Sequence, residues 1–318
     1  MARKFLVNKA ERTKIYPKVG IFSPSGGGKT YTALRLATGM IEEMEKLTGK
    51  KYKIWLANNE GSRGKYYANE FDYEIIELAP PHEPEMYYDL IEYAEATESC
   101  GILIIDSLSK EWAGTGGCLD IANGIGGTFQ NAWKNVSPRH RRLMDKMVDS
   151  NLTIIATMRG EDQYVMETDD KGKSKPVKLG LGAKQGKDFE YEFTCTFSLE
   201  QKTNCAESFK DNTHLFENKP AMKLTEQDGI NLMIWANESD IEPEKVVTEN
   251  KSEEATNKED LKTIIAEVNI LATEKAKVNR DLVVETIKKH HKTGNPNGIK
   301  DISVAKAVLE ELTNLEVK

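Results

Sequence analysis

The first two-thirds of the chain alternates short apolar runs with stretches of helical period. That alternation predicts a mostly parallel sheet with helices on both faces. The segments "KVGIF" (18–22), "KIWLA" (53–57), "YEIIEL" (73–78), "GILIID" (101–106) and "LTIIATM" (152–158) read as strands. Over 29–47, Ala33, Leu36, Ala37, Met40, Ile41 and Met44 recur on a 3.6-residue period and predict a helix. A second helix spans 84–96, opened by Pro84. A third is expected over 137–150, with Ser137 as N-cap and Pro138 in the first turn.

Beyond residue 160 the texture changes. Residues 163–182 read as a β-hairpin or mobile loop around "DDKG", 190–200 alternate like a strand, 213–218 are a strand or loop, and 225–238 are helical. Residues 238–259 are polar and acidic, the composition of a flexible linker. After them, 261–276, 280–291 and 301–315 predict three helices. The expected organisation is an α/β core over 1–237, an acidic linker over 238–259 and a small helical module over 260–318.

Charge and composition narrow the function classes. The 318 residues carry a net charge of -7, so a protein that coats nucleic acid by charge alone is excluded. No apolar run follows the basic start "MARKFLVNKAERTK", which argues against a signal peptide or membrane anchor and for a cytoplasmic protein. The four cysteines form no C-x-x-C pair and have no histidine at ligand spacing, so they read as reduced thiols rather than zinc ligands.

The chemistry concentrates in "SPSGGGKTY" (23–31). It resembles a phosphate-binding loop, G-x-x-x-x-G-K-[ST], with Ser23 where that pattern opens on glycine. Gly26, Gly27 and Gly28 let backbone N–H groups approach phosphate oxygens. Ser25, Lys29, Thr30 and Tyr31 complete the expected nucleotide-binding set, with Lys29 supplying charge and the Thr30 hydroxyl a ligand for Mg²⁺. Asp106, ending a buried strand, is the expected second metal-binding group. Glu60, after the second strand, is a candidate to orient the attacking water; its position alone leaves a surface carboxylate equally open.

The order "SPSGGGKT", "WLANNEG", "LIIDSLS", "TIIATMRG" resembles the core of RecA-type recombinase ATPases. More closely, "LIIDSLSKEWAG", "ATMRG" and "EYEFT" resemble phage-encoded RecA-like ATPases of the AAA class, some linked to single-strand annealing recombination. The resemblance covers roughly residues 14–237. It implies a RecA-like P-loop NTPase core using ATP and Mg²⁺, with Glu60 activating water. It puts Thr157 in the place of a phosphate-sensing residue, where the family usually has glutamine.

The same resemblance suggests single-stranded DNA as a partner and assembly into a ring or filament. Two segments are candidates for DNA contact: the glycine-rich 110–128, with Trp112 for base stacking, and 159–187, carrying Arg159, Lys171, Lys173, Lys175, Lys178, Lys184 and Lys187. A solvated hairpin is the plain alternative for the second. Lys184 and Lys187 are candidates to reach a neighbouring subunit's nucleotide. A second functional reading is an ATP-gated switch with little turnover, its C-terminal helices recruiting a single-strand-binding or annealing protein. A small-molecule kinase is disfavoured, because no arginine-rich lid is visible.

Overall fold

The computed structural model describes residues 7, 9–125, 128–168, 174–186, 189–243, 252–291 and 294–315. The chain divides into two units, Met1–Pro243 and Glu244–Lys318. The first is built on β1 (Lys18–Ser23), β2 (Lys53–Asn58), β3 (Glu74–Glu77), β4 (Cys100–Asp106), β5 (Thr153–Thr168), β6 (Ser174–Ala183), β7 (Cys195–Leu199) and β8 (Ala206–Asp211). Their spatial order is β3-β2-β4-β5-β1-β7-β8. The pairs from β3 through β7 are parallel, and β8 adds an antiparallel edge. This confirms the α/β class with a mostly parallel sheet.

The sheet is apolar on both faces because both are covered. Side chains alternate along each strand, so Ile154 and Ala156 join one core and Ile155 the other. On the first face Tyr87 and Ile91 of α2 (Pro84–Ala96) pack with Leu143 and Met147 of α5 (Phe129–Asp149). On the second, Leu34, Leu36 and Met40 of α1 (Lys29–Thr48) meet Leu232 and Met233 of α6 (Glu226–Ala236).

Helices α1 and α6 touch backbone to backbone. A Cβ on Gly39 would lie 1.8 Å from the Glu226 carbonyl oxygen, and one on Gly229 would lie 2.1 Å from that of Leu36. Arg35 locks the crossing with a two-pronged ion pair to Glu226, at 3.0 and 2.7 Å.

Several expectations need correction. Helix α5 starts at Phe129, after Thr128, and not at Ser137; Pro138 lies inside it. Proline removes one helical hydrogen bond. Here the buried stripe Ala132, Val136, Leu143 and Met147 continues across it, and packing outweighs that loss. The glycine-rich 110–128 is not one open loop: it holds α3 (Ser109–Ala113) and α4 (Cys118–Ile125). Cys118 and Ala122 of α4 pack on Ala132 and Val136 of α5. Of the expected strand 190–200, only β7 forms; Phe189–Tyr191 is a 3₁₀ turn whose Phe189 anchors in the core. The mostly polar edge strand β8 gives little signal of its own. Within 163–182, β5 extends beyond its neighbours in the parallel sheet and pairs antiparallel with β6, as the hairpin reading expects; the expected turn "DDKG" lies outside the described residues.

The second unit holds α7 (Ser252–Ala276), α8 (Arg280–His290) and α9 (Ile302–Asn314) around Val268, Val283, Ile287, Ala305, Val308 and Leu312. Asn279 and Asp301 cap α8 and α9 through side-chain acceptors. Helical structure therefore begins at Ser252, inside the stretch that reads as linker. No helix among the described residues is long and apolar enough to cross a membrane.

Candidate functional site

Four parallel strands, β1, β2, β4 and β5, end on one side of the sheet, where ligands bind in such folds. The loop after β1 turns sharply into α1. Gly26 and Gly28 have φ of 82° and 79°, a region that glycine enters without strain. Gly27 lacks room for any side chain: a Cβ there would lie 2.4 Å from Ser23 Oγ. Ser23 is fully buried, and its hydroxyl donates to the Pro24 carbonyl at 2.9 Å. Serine thus fits the position where the pattern has glycine, with Gly27 leaving it the space. Lys29 Nζ donates to the carbonyls of Ser23 and Pro24 at 3.1 and 3.2 Å. Burial pushes its ammonium below the ordinary lysine value, and the charges of Asp106 and Glu60 oppose that shift.

Asp106 ends β4 beneath the loop. Thr30 Oγ1 donates to one carboxylate oxygen at 2.6 Å and Thr157 Oγ1 to the other at 2.5 Å. Burial raises the acid's pKa above the usual carboxylate value, and the two hydroxyl donors pull against it. Adjacent Ser107 lines the cavity, and its buried hydroxyl has no hydrogen-bond partner among the described residues. A hydroxyl, a carboxylate and an orphaned hydroxyl form a hard-oxygen donor set suited to Mg²⁺. Thr30 and Asp106 are the residues that would hold it. The structure thus brings Lys29, Thr30, Asp106 and Thr157 together.

Glu60 is fixed by the turn "NNEG". Its backbone N–H donates to Asn58 Oδ1 at 3.1 Å. Asn59 clamps the loop after β4, its amide donating to the Ser107 carbonyl and its Oδ1 accepting from Ser107 N–H at 2.8 Å. The Glu60 side chain is 15% exposed and lines the cavity. Arg159 Nη2 donates to its Oε1 at 2.6 Å, and Arg63 Nη1 lies 3.4 Å from its Oε2.

The cavity encloses about 560 Å³. Arg63, Tyr66, Tyr67 and Asn204 also line it, and sequence reasoning missed all four. Tyr67 packs edge-on to Tyr31, with ring centroids 5.3 Å apart. The turn between β7 and β8 covers the loop: Gln201 Nε2 donates to the Ser25 carbonyl at 2.7 Å, and the Asn204 side chain lies over Gly28. Only the "NNEGSRGKYY" run, with its polar start and paired tyrosines, carried a signal for part of this wall.

The DNA-contact candidates fare differently. Arg159 points into the cavity rather than away from it. Trp112 is partly buried and packs edge-on to Trp133 and His140, both centroids 5.2 Å away, so it is a packing residue and not a free stacking platform. Lys184 is half-exposed, 3.6 Å from Glu161. Lys175 lies on β6, its side chain outside the described residues; Lys171, Lys173 and Lys187 also lie outside them.

The cysteines also hold a surprise. Folding brings Cys118 and His140, distant in sequence, onto buried Glu111, each at 3.0 Å. Gln185 Nε2 donates to the other Glu111 oxygen at 3.2 Å and to the Leu108 carbonyl at 3.1 Å. Glu111, Cys118 and His140 each offer one ligand atom, all within 4.8 Å of one another, so folding places beside a cysteine the histidine that sequence spacing does not.

The sequence profile of a family described as an AAA domain matches residues 15–232. That span takes in the whole sheet and every residue of the cavity, and the chain belongs to this family of nucleotide-binding P-loop ATPases. No curated protein matches the chain.

Proposed function

We propose that this AAA-domain protein is a Mg²⁺-dependent ATP hydrolase of RecA-like type that acts on single-stranded DNA in phage recombination or replication. The observation that carries the catalytic part is the clasp of Asp106 between Thr30 and Thr157, with Lys29 and Glu60 facing the same cavity. Backbone N–H groups of Gly26 to Thr30 hold the phosphates, and Lys29 neutralises their charge. Bound Mg²⁺ supplies further charge neutralisation on the phosphate oxygens. Glu60 takes a proton as water attacks the terminal phosphorus and the bond to the bridging oxygen breaks, releasing ADP and phosphate. Thr157, bonded to Asp106 on the strand beside the loop, senses the terminal phosphate.

The DNA part rests on the sequence resemblance and on the lysine density of 171–187 in an otherwise acidic chain. The switch reading, in which the helical unit recruits a DNA-processing partner, draws on that unit's having a core of its own. The two are separated by phosphate release measured with and without single-stranded DNA. Stimulation by DNA supports the first. Tight nucleotide binding with negligible turnover in both conditions supports the second.

A further inference from the structure

We propose that Arg159 is a nucleotide-site residue acting within its own subunit, joining Glu60 to the terminal phosphate of a bound triphosphate. The inference rests on the nucleotide-binding reading of the cavity and specifies how that site tells a triphosphate from a diphosphate.

Placement comes first. On the sheet, Arg159 is the register partner of Ser23, where the phosphate loop begins, so its backbone starts one strand spacing away. That backbone is fixed on both sides. Its N–H donates to Ser109 Oγ at 2.9 Å, and its carbonyl accepts from Lys184 N–H at 2.6 Å. Gly160, next along, runs so close to the loop that a Cβ there would lie 2.9 Å from the Ser23 carbonyl carbon. Only the side chain has freedom, and it lines the cavity.

Charge comes second. The cavity wall carries three cations, Lys29, Arg63 and Arg159, against two carboxylates, Glu60 and Asp106. Lys29 and Arg159 line the same cavity, so both cations face the same space. A guanidinium is a planar fork of five N–H donors. Its Nη2 holds Glu60, and the same fork can present other N–H groups to a phosphate oxygen. Lysine, a point charge, cannot hold both acceptors in fixed relative positions. Arg159 thereby sets Glu60 at a defined distance from the phosphate it serves.

The test compares affinities for a fluorescent non-hydrolysable ATP analogue and the matching ADP analogue, both with Mg²⁺. Wild type, Arg159→Met, Arg159→Lys and Lys29→Ala are measured. The expected result is a ratio of triphosphate to diphosphate affinity that falls at least ~10-fold in Arg159→Met, about 1.4 kcal/mol. Diphosphate affinity stays within roughly 3-fold, which also reports an intact loop. Arg159→Lys keeps part of the ratio. The proposal is overturned if the ratio moves by less than ~3-fold in Arg159→Met, or if both affinities fall together. Wild type binding neither analogue removes the nucleotide reading and this one with it. Wild-type binding that depends on Lys29, with no change of ratio on losing Arg159, removes this inference alone.

Discussion

A Cβ on Gly27 would lie 2.4 Å from Ser23 Oγ, so the two positions share one side chain's worth of space. The usual pattern puts glycine first; here Ser23 fills the turn and Gly27 yields to it. Gly27→Ala should therefore cut nucleotide affinity by ~10-fold or more, while Ser23→Gly changes it by less than about 3-fold. The double variant should recover part of the loss, because the first change vacates the space the second needs. Titration with a fluorescent nucleotide reads all three; independent, additive effects would refute the coupling.

Asp106 carries a raised pKa, caused first by burial. In the unfolded chain it ionises near ~3.9. Between that value and its folded pKa the folded state binds more protons, so this group's contribution to stability falls as pH rises through the window. Burying the carboxylate is what makes ionisation costly in that window. Asp106→Asn should leave stability at pH 7 equal or higher while abolishing the Mg²⁺ dependence of triphosphate binding. Denaturant unfolding and a Mg²⁺ titration measure the two halves.

What the sequence revealed follows from how local each signal is. The phosphate loop needs a strand, three glycines and a helix start within a dozen residues, and all are contiguous. Asp106 closes an unbroken apolar run. Glu60 stood out only through its place after a strand, and its partner Arg159 lies 99 positions away, read as part of a basic segment. Pro138 misled because a proline more often opens a helix than sits inside one; the stripe that overrides it begins before the proline. The Glu111 cluster was invisible because α3, α4 and α5 supply one residue each.

Gly39 and Gly229 make the α1–α6 crossing possible. Either Gly→Ala change drives a methyl into a backbone carbonyl, which no side-chain adjustment relieves. Each should destabilise the core unit by about 3 kcal/mol. Thermal melts should show Tm lowered by roughly 6 °C or more. Alanine at Gly49 meets open space but keeps a φ of 69°, so it should cost only about 1 kcal/mol.

Lys18 is buried at the start of β1, where its Nζ donates to the carbonyls of Tyr16, Ser150 and Leu152 at 2.6, 2.9 and 2.9 Å. Burial pushes its ammonium down to about 7. The unfolded value is near ~10.4, so across that window the unfolded chain holds more protons and this group's contribution to stability rises with pH. Lys18→Met should lose about 2 kcal/mol near pH 9, because the neutral amine's two hydrogen bonds to this carbonyl cluster are lost. Its deficit against wild type should shrink on lowering the pH toward 7. Urea unfolding at several pH values checks the sign.

The central claim is that the cavity at the ends of β1, β2, β4 and β5 hydrolyses ATP. Its most direct test is phosphate release from Mg²⁺–ATP by wild type, Lys29→Ala and Glu60→Gln. Turnover by wild type, reduced by ~100-fold or more in both variants, is the predicted result. Equal rates in all three would contradict the claim, as would nucleotide binding by wild type with no turnover in any condition.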